Sequence, residues 1–470
     1  MSIELISQDA TRLAELIRTR EVSPVEVMRA HLDRISAVDP KINAIVTVAD
    51  DALKNARAAE AAVMAGEELG PLHGVPFTAK DSIDTAGVLT QRASPIFKGR
   101  VPDTDATSVV RMKKAGGILL AKTNHPEFSF WIETDNLLSG RTRNPWNLDR
   151  TPGGSSGGES AAVAALMSPL GLATDVAISV RGPAALTGVV GLKATHGRIP
   201  MTGIWPRVPR RFWHIGPIAR SVRDIALAYS LLAGPDGADG FSTAPLKLDA
   251  GVGSTPGRPL RVGLLIDAFA PVDADVAATV QASAEALRGL GVTVEPVRIP
   301  VIEQINALEV LWKLQVMETK PAFRKVTAGH EDKIFKHVQA VYDTPDTSIA
   351  DFVDAEQQAE QLRDGFAEYF QRYDALLCPV TPVPAHEHDA AKFKINGQSV
   401  SSLHVMTATA PLNVTGLPGM TLRFGTSREG LPVGVQLVAP WLAESTLLHL
   451  ASLLEAVSPV RGLYPDLSNI

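Results

Sequence analysis

From Gly153 to Met167 the chain reads Gly-Gly-Ser-Ser-Gly-Gly-Glu-Ser-Ala-Ala-Val-Ala-Ala-Leu-Met. The second half is a run of small residues suited to a tightly packed helix. The first half is thereby placed at that helix's amino terminus, where free N–H groups and the positive end of the helix dipole gather. Glycines in such a loop let backbone N–H groups approach a substrate oxygen closely. A second turn-rich segment, Asp175-Val-Ala-Ile-Ser-Val-Arg181, puts Ser179 24 residues beyond Ser155. A serine hydroxyl is a poor nucleophile at neutral pH and needs an adjacent base. Neither segment contains a histidine, so the base must come from elsewhere in the chain.

The flanking sequence is α/β in pattern. Ser23-Pro-Val-Glu26 is a capping box with proline at the first helical position, and Val27, Leu32 and Ile35 continue an apolar face behind it. A second helix is predicted over 51–64. The apolar run 74–79 reads as a strand with Lys80 and Asp81 at its end, where α/β proteins often place their chemistry. A helix over 106–115 and a strand over 117–122 follow. A long polar loop, 124–152, then opens onto the serine segment, and loops of that length are usually functional or poorly ordered. The Gly-, Ser-, Pro- and Ala-rich stretch 238–259 marks a surface connection. Beyond it come a strand-helix-strand unit (260–266, 273–290, 292–297), helices over 302–319 and 351–370, and strands over 375–379, 419–424 and 434–438.

Composition narrows the partners. With 470 residues, 45% of them apolar, the chain can bury a large core. A formal charge of −6 with no dense run of Lys or Arg argues against nucleic-acid or anionic-membrane surfaces. No stretch reaches the roughly 18 apolar residues of a membrane span, and the amino terminus lacks the pattern of a secretory signal, so a cytoplasmic protein is expected. The single cysteine, Cys378, excludes an internal disulfide and sits in an apolar run, as a buried small hydrophobe does. His386 and His388 have a metal-like spacing but no third ligand, so neither a metal nor another cofactor is expected.

Taken together, the ordered segments identify a family resemblance covering most of the chain. Thr151-Pro-Gly-Gly-Ser-Ser-Gly-Gly-Glu-Ser160, Ser179-Val-Arg181, Gly188-Val-Val-Gly-Leu-Lys193, Leu72-His-Gly-Val-Pro-Phe-Thr-Ala-Lys-Asp81, His214-Ile-Gly-Pro217 and Gly430-Leu-Pro-Val-Gly-Val-Gln-Leu-Val438 resemble the amidase signature family. The resemblance implies one α/β domain over 1–470 with a central mixed sheet flanked by helices on both faces. Within it, 1–70 would form a helical amino-terminal region, 71–238 the signature core, and 259–470 a second α/β part completing the sheet.

Lys80, Ser155 and Ser179 occupy the family's catalytic positions. By resemblance Ser179 attacks the acyl carbon, Ser155 relays its proton and Lys80 receives it, which requires a dry lysine of depressed pKa. The peptide bond before Ser155 is expected to be cis, with Gly154 easing it. Backbone N–H groups from Val176, Ala177, Ile178 and Ser179 would form the oxyanion hole, while Ser156, Asp175 and Arg181 would support the site. The implied activity is hydrolysis of the C–N bond of a small-molecule carboxamide through an acyl-enzyme, extending to esters or carbamates. The oligomeric state is left open, a homodimer being allowed.

Two departures from the family pattern stand out. Ala177-Ile178 replace the usual Gly-Gly, and a β-branched residue at positive φ there would be strained. Trp213 stands where many members, including the glutaminase subunit of tRNA-dependent amidotransferases, carry Asp. With Phe212, Trp131, Phe130 and Ile132 it suggests an apolar substrate pocket for neutral or aryl amides, to which Trp312 is a further candidate. The alternatives are a glutaminase-type subunit of an amidotransferase complex and an amidase-fold binding protein of weakened activity.

Overall fold

The computed structural model describes residues 3–243, 258–267, 269 and 271–467. Thirteen strands are formed among them: β1 (Ile45–Val48), β2 (Pro76–Lys80), β3 (Ile118–Thr123), β4 (Leu170–Asp175), β5 (Val190–Lys193), β6 (His214–Ala219), β7 (Arg261–Leu264), β8 (Thr293–Pro296), β9 (Ala375–Pro379), β10 (Lys392–Ile395), β11 (Gln398–Ser401), β12 (Gly419–Thr426) and β13 (Pro432–Val438). Eleven build one mixed sheet in the order β1-β3-β2-β4-β6-β5-β12-β13-β9-β7-β8, and β10 and β11 form a separate hairpin. Helices flank this central sheet, giving the mixed α/β architecture that the resemblance implies.

Local chemistry accounts for the elements. Ser23 and Glu26 form the expected capping box of the helix Pro24–Ile42, satisfying two N–H groups that a helix start leaves free. The strand-helix-strand unit forms as β7, the helix Ala274–Gly289 and β8, with β7 and β8 parallel. The strands β2, β3, β9 and β13 are buried along their whole length, which is why they read as apolar runs rather than alternating patterns.

Several expectations are corrected. The helix predicted over 302–319 is two helices, Pro300–Gln304 and Ala307–Thr327, because the Asn306 side chain caps the second by accepting from the Glu309 N–H. The loop 124–152 is not loose. Asn124, Asn136, Thr142 and Asn144 are buried and hydrogen-bonded within it. Residues 244–257 of the surface connection lie outside the described residues. Among the described residues no helix is long and apolar enough to cross a membrane.

Two neighbouring strands aim the chemistry. β2 ends at Lys80 and β4 at Asp175, and the pair runs parallel, with Ala79 opposite Leu172. Both therefore deliver their last residues to the same edge, where the helices Gly157–Ala164 and Arg181–Thr187 begin.

Candidate active site

Lys80 is fully buried, and its Nζ lies 2.7 Å from Ser155 Oγ, 2.9 Å from Thr174 Oγ1 and 3.1 Å from Ser156 Oγ. The protons can be assigned by counting. The Ser156 hydroxyl donates to the Thr174 carbonyl at 3.2 Å, so its oxygen accepts from Lys80. A neutral amine has two N–H donors and one lone pair. Donation to Ser156 and Thr174 leaves that lone pair facing Ser155, whose hydroxyl can donate to it. Burial holds the Lys80 pKa well below the ordinary lysine value, against the opposing pull of Asp175 and Glu159. The geometry is that of a general base in hydrogen bond with a serine.

Beneath Lys80 lies Glu159, also fully buried, which accepts hydrogen bonds from Thr78 and, at 2.8 Å, from Thr123. Burial pushes its carboxyl up to about 7, although the two threonines, Lys122 and Lys80 oppose the rise. The Gly154–Ser155 peptide is cis. A β-carbon at Gly154 would fall 2.6 Å from the Glu133 nitrogen and 2.7 Å from its carbonyl oxygen, so no other residue fits that backbone approach.

The loop after β4 presents a row of unused donors. Among the described residues no acceptor pairs with the N–H groups of Val176, Ala177, Ile178 or Ser179, and these four residues line one cleft. Two of the donors are oriented by bonds on the other side of their peptide planes. The Ala177 carbonyl accepts from Arg181 Nη2 at 3.2 Å, and the Ile178 carbonyl accepts from the Gly182 N–H at 2.7 Å. In a trans peptide the N–H points opposite to the C=O, so the N–H groups of Ile178 and Ser179 are turned away from the helix. The strain expected at Ile178 is absent, because no residue from 176 to 179 has positive φ. This loop turns without the left-handed backbone that a Gly-Gly pair would permit.

Asp175 and Arg181 brace that loop from below. Both are fully buried and paired through Arg181 Nε–Asp175 Oδ2 at 3.0 Å and Nη2–Oδ1 at 2.9 Å. The guanidinium also donates to the Thr409 carbonyl at 3.0 Å, Asn413 Oδ1 at 2.6 Å and Gln436 Oε1 at 3.2 Å. Burial alone would raise the Asp175 pKa, but the charge and hydrogen bonds of Arg181 prevail and hold it at about 2. Thr174, Glu159, Thr409, Asn413 and Gln436 carry no sequence signal that singles them out. Glu159 stands inside the Gly-Ser segment and Thr174 next to Asp175, whereas Thr409, Asn413 and Gln436 lie more than two hundred positions from Arg181.

Ser179 is buried and, among the described residues, its hydroxyl has no hydrogen-bond partner. It opens onto the apolar cleft, where Phe130, Trp131, Ile132 and Trp312 also stand. Phe212 and Trp213 are not part of that lining. Both are packed in the main core, with the Trp213 indole donating to the Val208 carbonyl at 3.3 Å and the Phe212 carbonyl accepting from Asn413 at 3.2 Å. Trp213 immediately precedes β6 and is only 1% exposed. His386 and His388 lie 3.9 and 3.8 Å from the Glu133 carboxylate. Among the described residues no group of three or more His, Cys, Asp or Glu is arranged to hold a metal. Cys378 is buried, its thiol pushed up to about 12 by burial.

Comparison with known proteins places this geometry. The family model described as Amidase matches residues 26–448. The chain is 35% identical to the A-type component of the glutamyl-tRNA(Gln) amidotransferase of Acidothermus cellulolyticus, over 96% of this chain and 95% of that one. Among solved structures it resembles 6-aminohexanoate cyclic dimer hydrolase, with a TM-score of 0.88 and 31% identity over 99% of both chains. It also resembles a bacterial aryl acylamidase of the amidase signature family, with a TM-score of 0.85 and 29% identity over 96% of both chains.

Proposed function

The chain belongs to the amidase signature family, and on that premise we propose that it is an amidohydrolase acting on neutral, largely apolar carboxamides, aryl amides among them, through an acyl-enzyme on Ser179. The observation that carries the substrate class is the cleft at Ser179, which no charged side chain lines. A free amino acid such as glutamine brings an ammonium and a carboxylate, and burying either without an opposite charge is costly. An aryl or alkyl amide brings neither.

In this reading Ser179 Oγ bonds to the substrate's carbonyl carbon as its proton passes to Ser155 Oγ and the Ser155 proton passes to Lys80 Nζ. The relay requires the Ser179 hydroxyl to stand within hydrogen-bond reach of Ser155 Oγ at the moment of attack. The carbonyl electron pair moves onto oxygen, where the free N–H groups of the 176–179 loop receive it. Each such donor contributes about 3 to 4 kcal/mol to the transition state. Collapse breaks the C–N bond, and the proton held by Lys80 returns through Ser155 to the leaving amine. Water then repeats the sequence on the ester and releases the acid. The same acyl transfer serves esters and carbamates.

A second reading is favoured by the 35% identity to an amidotransferase component: a glutaminase-type protein working with protein partners. The two readings part on substrate. Purified protein assayed against 4-nitroanilides, aliphatic amides, esters, carbamates and glutamine, beside Ser179→Ala, is expected to hydrolyse apolar amides with full dependence on Ser179. Turnover of glutamine with none of aryl amides would replace the first reading with the second. Labelling of Ser179 by a fluorophosphonate is expected in either case, and its absence with unchanged turnover in Ser179→Ala would remove the serine mechanism.

A further inference from the structure

One wall of the cleft is a single stripe of the helix Ala307–Thr327: Leu308, Leu311, Trp312 and Gln315. These positions are i, i+3, i+4 and i+7, which share one helical face. The first three are apolar, and the periodicity asks for a fourth apolar residue. Gln315 puts a carboxamide there instead. The residue is only 5% exposed and lines the cleft, and its carboxamide makes no hydrogen bond to any described residue while its polar atoms remain accessible. Both amide atoms stay accessible within an otherwise apolar lining, so they are open to a partner that arrives from outside. A carboxamide offers two N–H donors and one acceptor oxygen.

Resting on the reading of this cleft as an amidase acyl site, we propose that Gln315 is a specificity-determining residue whose carboxamide receives one uncharged hydrogen-bonding group on the substrate. The substrate class narrows accordingly. Plain hydrocarbon or unsubstituted aryl amides fill the apolar surface but leave Gln315 unpaired. Amides whose apolar arm carries one carbonyl, hydroxyl or secondary amide, set apart from the scissile carbon, satisfy both. A site built around such a group discriminates against the analogue lacking it more strongly than an apolar pocket discriminates by a methylene. An ionised group in its place would lose its water with no counter-charge in the cleft.

A ladder of 4-nitroanilides tests this, comparing a straight-chain acyl group with analogues in which one methylene at successive positions is a carbonyl. At one position the wild type is expected to prefer the keto analogue by about 10- to 100-fold in kcat/KM. Gln315→Leu should erase that preference while hydrolysing the hydrocarbon analogue at least as fast as the wild type does. Its melting temperature should equal or exceed the wild-type value, because the Gln315 amide makes no hydrogen bond within the protein that the variant would lose. Gln315→Met provides the same comparison should the leucine variant fold poorly. Preference for the hydrocarbon at every position overturns the proposal, as does a keto preference that survives both variants. A loss of thermal stability with an equal fall on all substrates assigns Gln315 a structural role and also overturns it. Ladder hydrolysis that requires Ser179 but ignores the carbonyl defeats Gln315 alone. No Ser179-dependent hydrolysis of any member defeats the amidase reading itself.

Discussion

Ile178 occupies the space that a side chain at Gly182 would need: a β-carbon built there would lie 2.5 Å from Ile178 Cγ1 and 2.7 Å from Cδ1. The two residues are one helical turn apart, joined by the Gly182 N–H bond to the Ile178 carbonyl. The branched residue in the nucleophile loop is thus accommodated by the absence of a side chain four positions later. Gly182→Ala is expected to destabilise by about 1 to 3 kcal/mol through overpacking and to lower kcat by disturbing the Ile178 and Ser179 donors. Ile178→Ala should cut that penalty by at least half. A residual cost is expected from Pro183, which disfavours helical backbone at a preceding residue that bears a β-carbon. Denaturant melts of the two single variants and the double variant measure the coupling, and additive penalties would show that the contact carries no energy.

Thr174 has no sequence signature of function, yet it accepts from the Lys80 amine at 2.9 Å. Thr174→Val keeps the shape and removes the acceptor. The hydroxyl binds the ammonium more strongly than the amine, so its loss lowers the Lys80 pKa further. The expected outcome is a fall in kcat of about 10-fold or more as the amine loses its orientation, little change in KM, and an acid limb of kcat/KM displaced to lower pH. A purely structural role would leave the position of that limb unmoved.

How far the chain can be read follows from where its signals lie. Lys80 and the Ser155 loop are legible because short contiguous segments carry them, and the fold brings Lys80, Ser155 and Ser156 into one hydrogen-bonded group. The capping box and the strand-helix-strand unit are legible because their signals are local or periodic. The strands β4, β5 and β6 are not. Each is short and interrupted by glycine or proline, at Gly171, Gly191, Gly216 and Pro217, residues that a propensity reading assigns to turns. A β-carbon at Gly191 would meet Ala184 and Val180 at 3.0 Å, so the close approach of the helix and its N-cap leaves little room for a side chain there. The cleft is the least legible part, because its stripe from the helix Ala307–Thr327 is distant in sequence from Ser179 and reads locally as ordinary core. Trp213 shows the converse: an aromatic residue beside a family motif is drawn into the core by a fold that no local pattern describes.

The pair Asp175–Arg181 ties the nucleophile loop to the Thr409 and Asn413 segment and to β13. Arg181→Met would leave a buried carboxylate without its partner, and breaking such a pair typically costs about 3 to 5 kcal/mol. It would also free the Ala177 carbonyl, so kcat should fall more than stability alone predicts. Adding Asp175→Asn should recover part of the stability, since a neutral amide tolerates the site better, but not the activity. The Asp175 pKa of about 2 lies below the usual carboxylate value, so its contribution to stability is complete above about pH 4 and is lost as pH falls towards 2. Thermal melts across that window, in the wild type and Asp175→Asn, check the sign.

Glu159 reverses that sign. Its folded pKa of about 7 is raised above the ordinary 4.5, so the unfolded chain releases the proton first as pH rises. Stability is lost between about pH 4.5 and 7, by about 3 kcal/mol when the loss is complete. Glu159→Gln carries no such proton, and Thr78 and Thr123 can each donate to or accept from its amide. The variant should therefore gain on the wild type steadily across that window and keep a constant difference above it. Activity is expected to move as well, because the Glu159 charge raises the Lys80 pKa. Removing it leaves Lys80 neutral to lower pH, which shifts the acid limb of kcat/KM downward. Melting curves and kcat/KM profiles from pH 5 to 9 read both effects, and an unshifted limb would show that Glu159 does not influence the base above it.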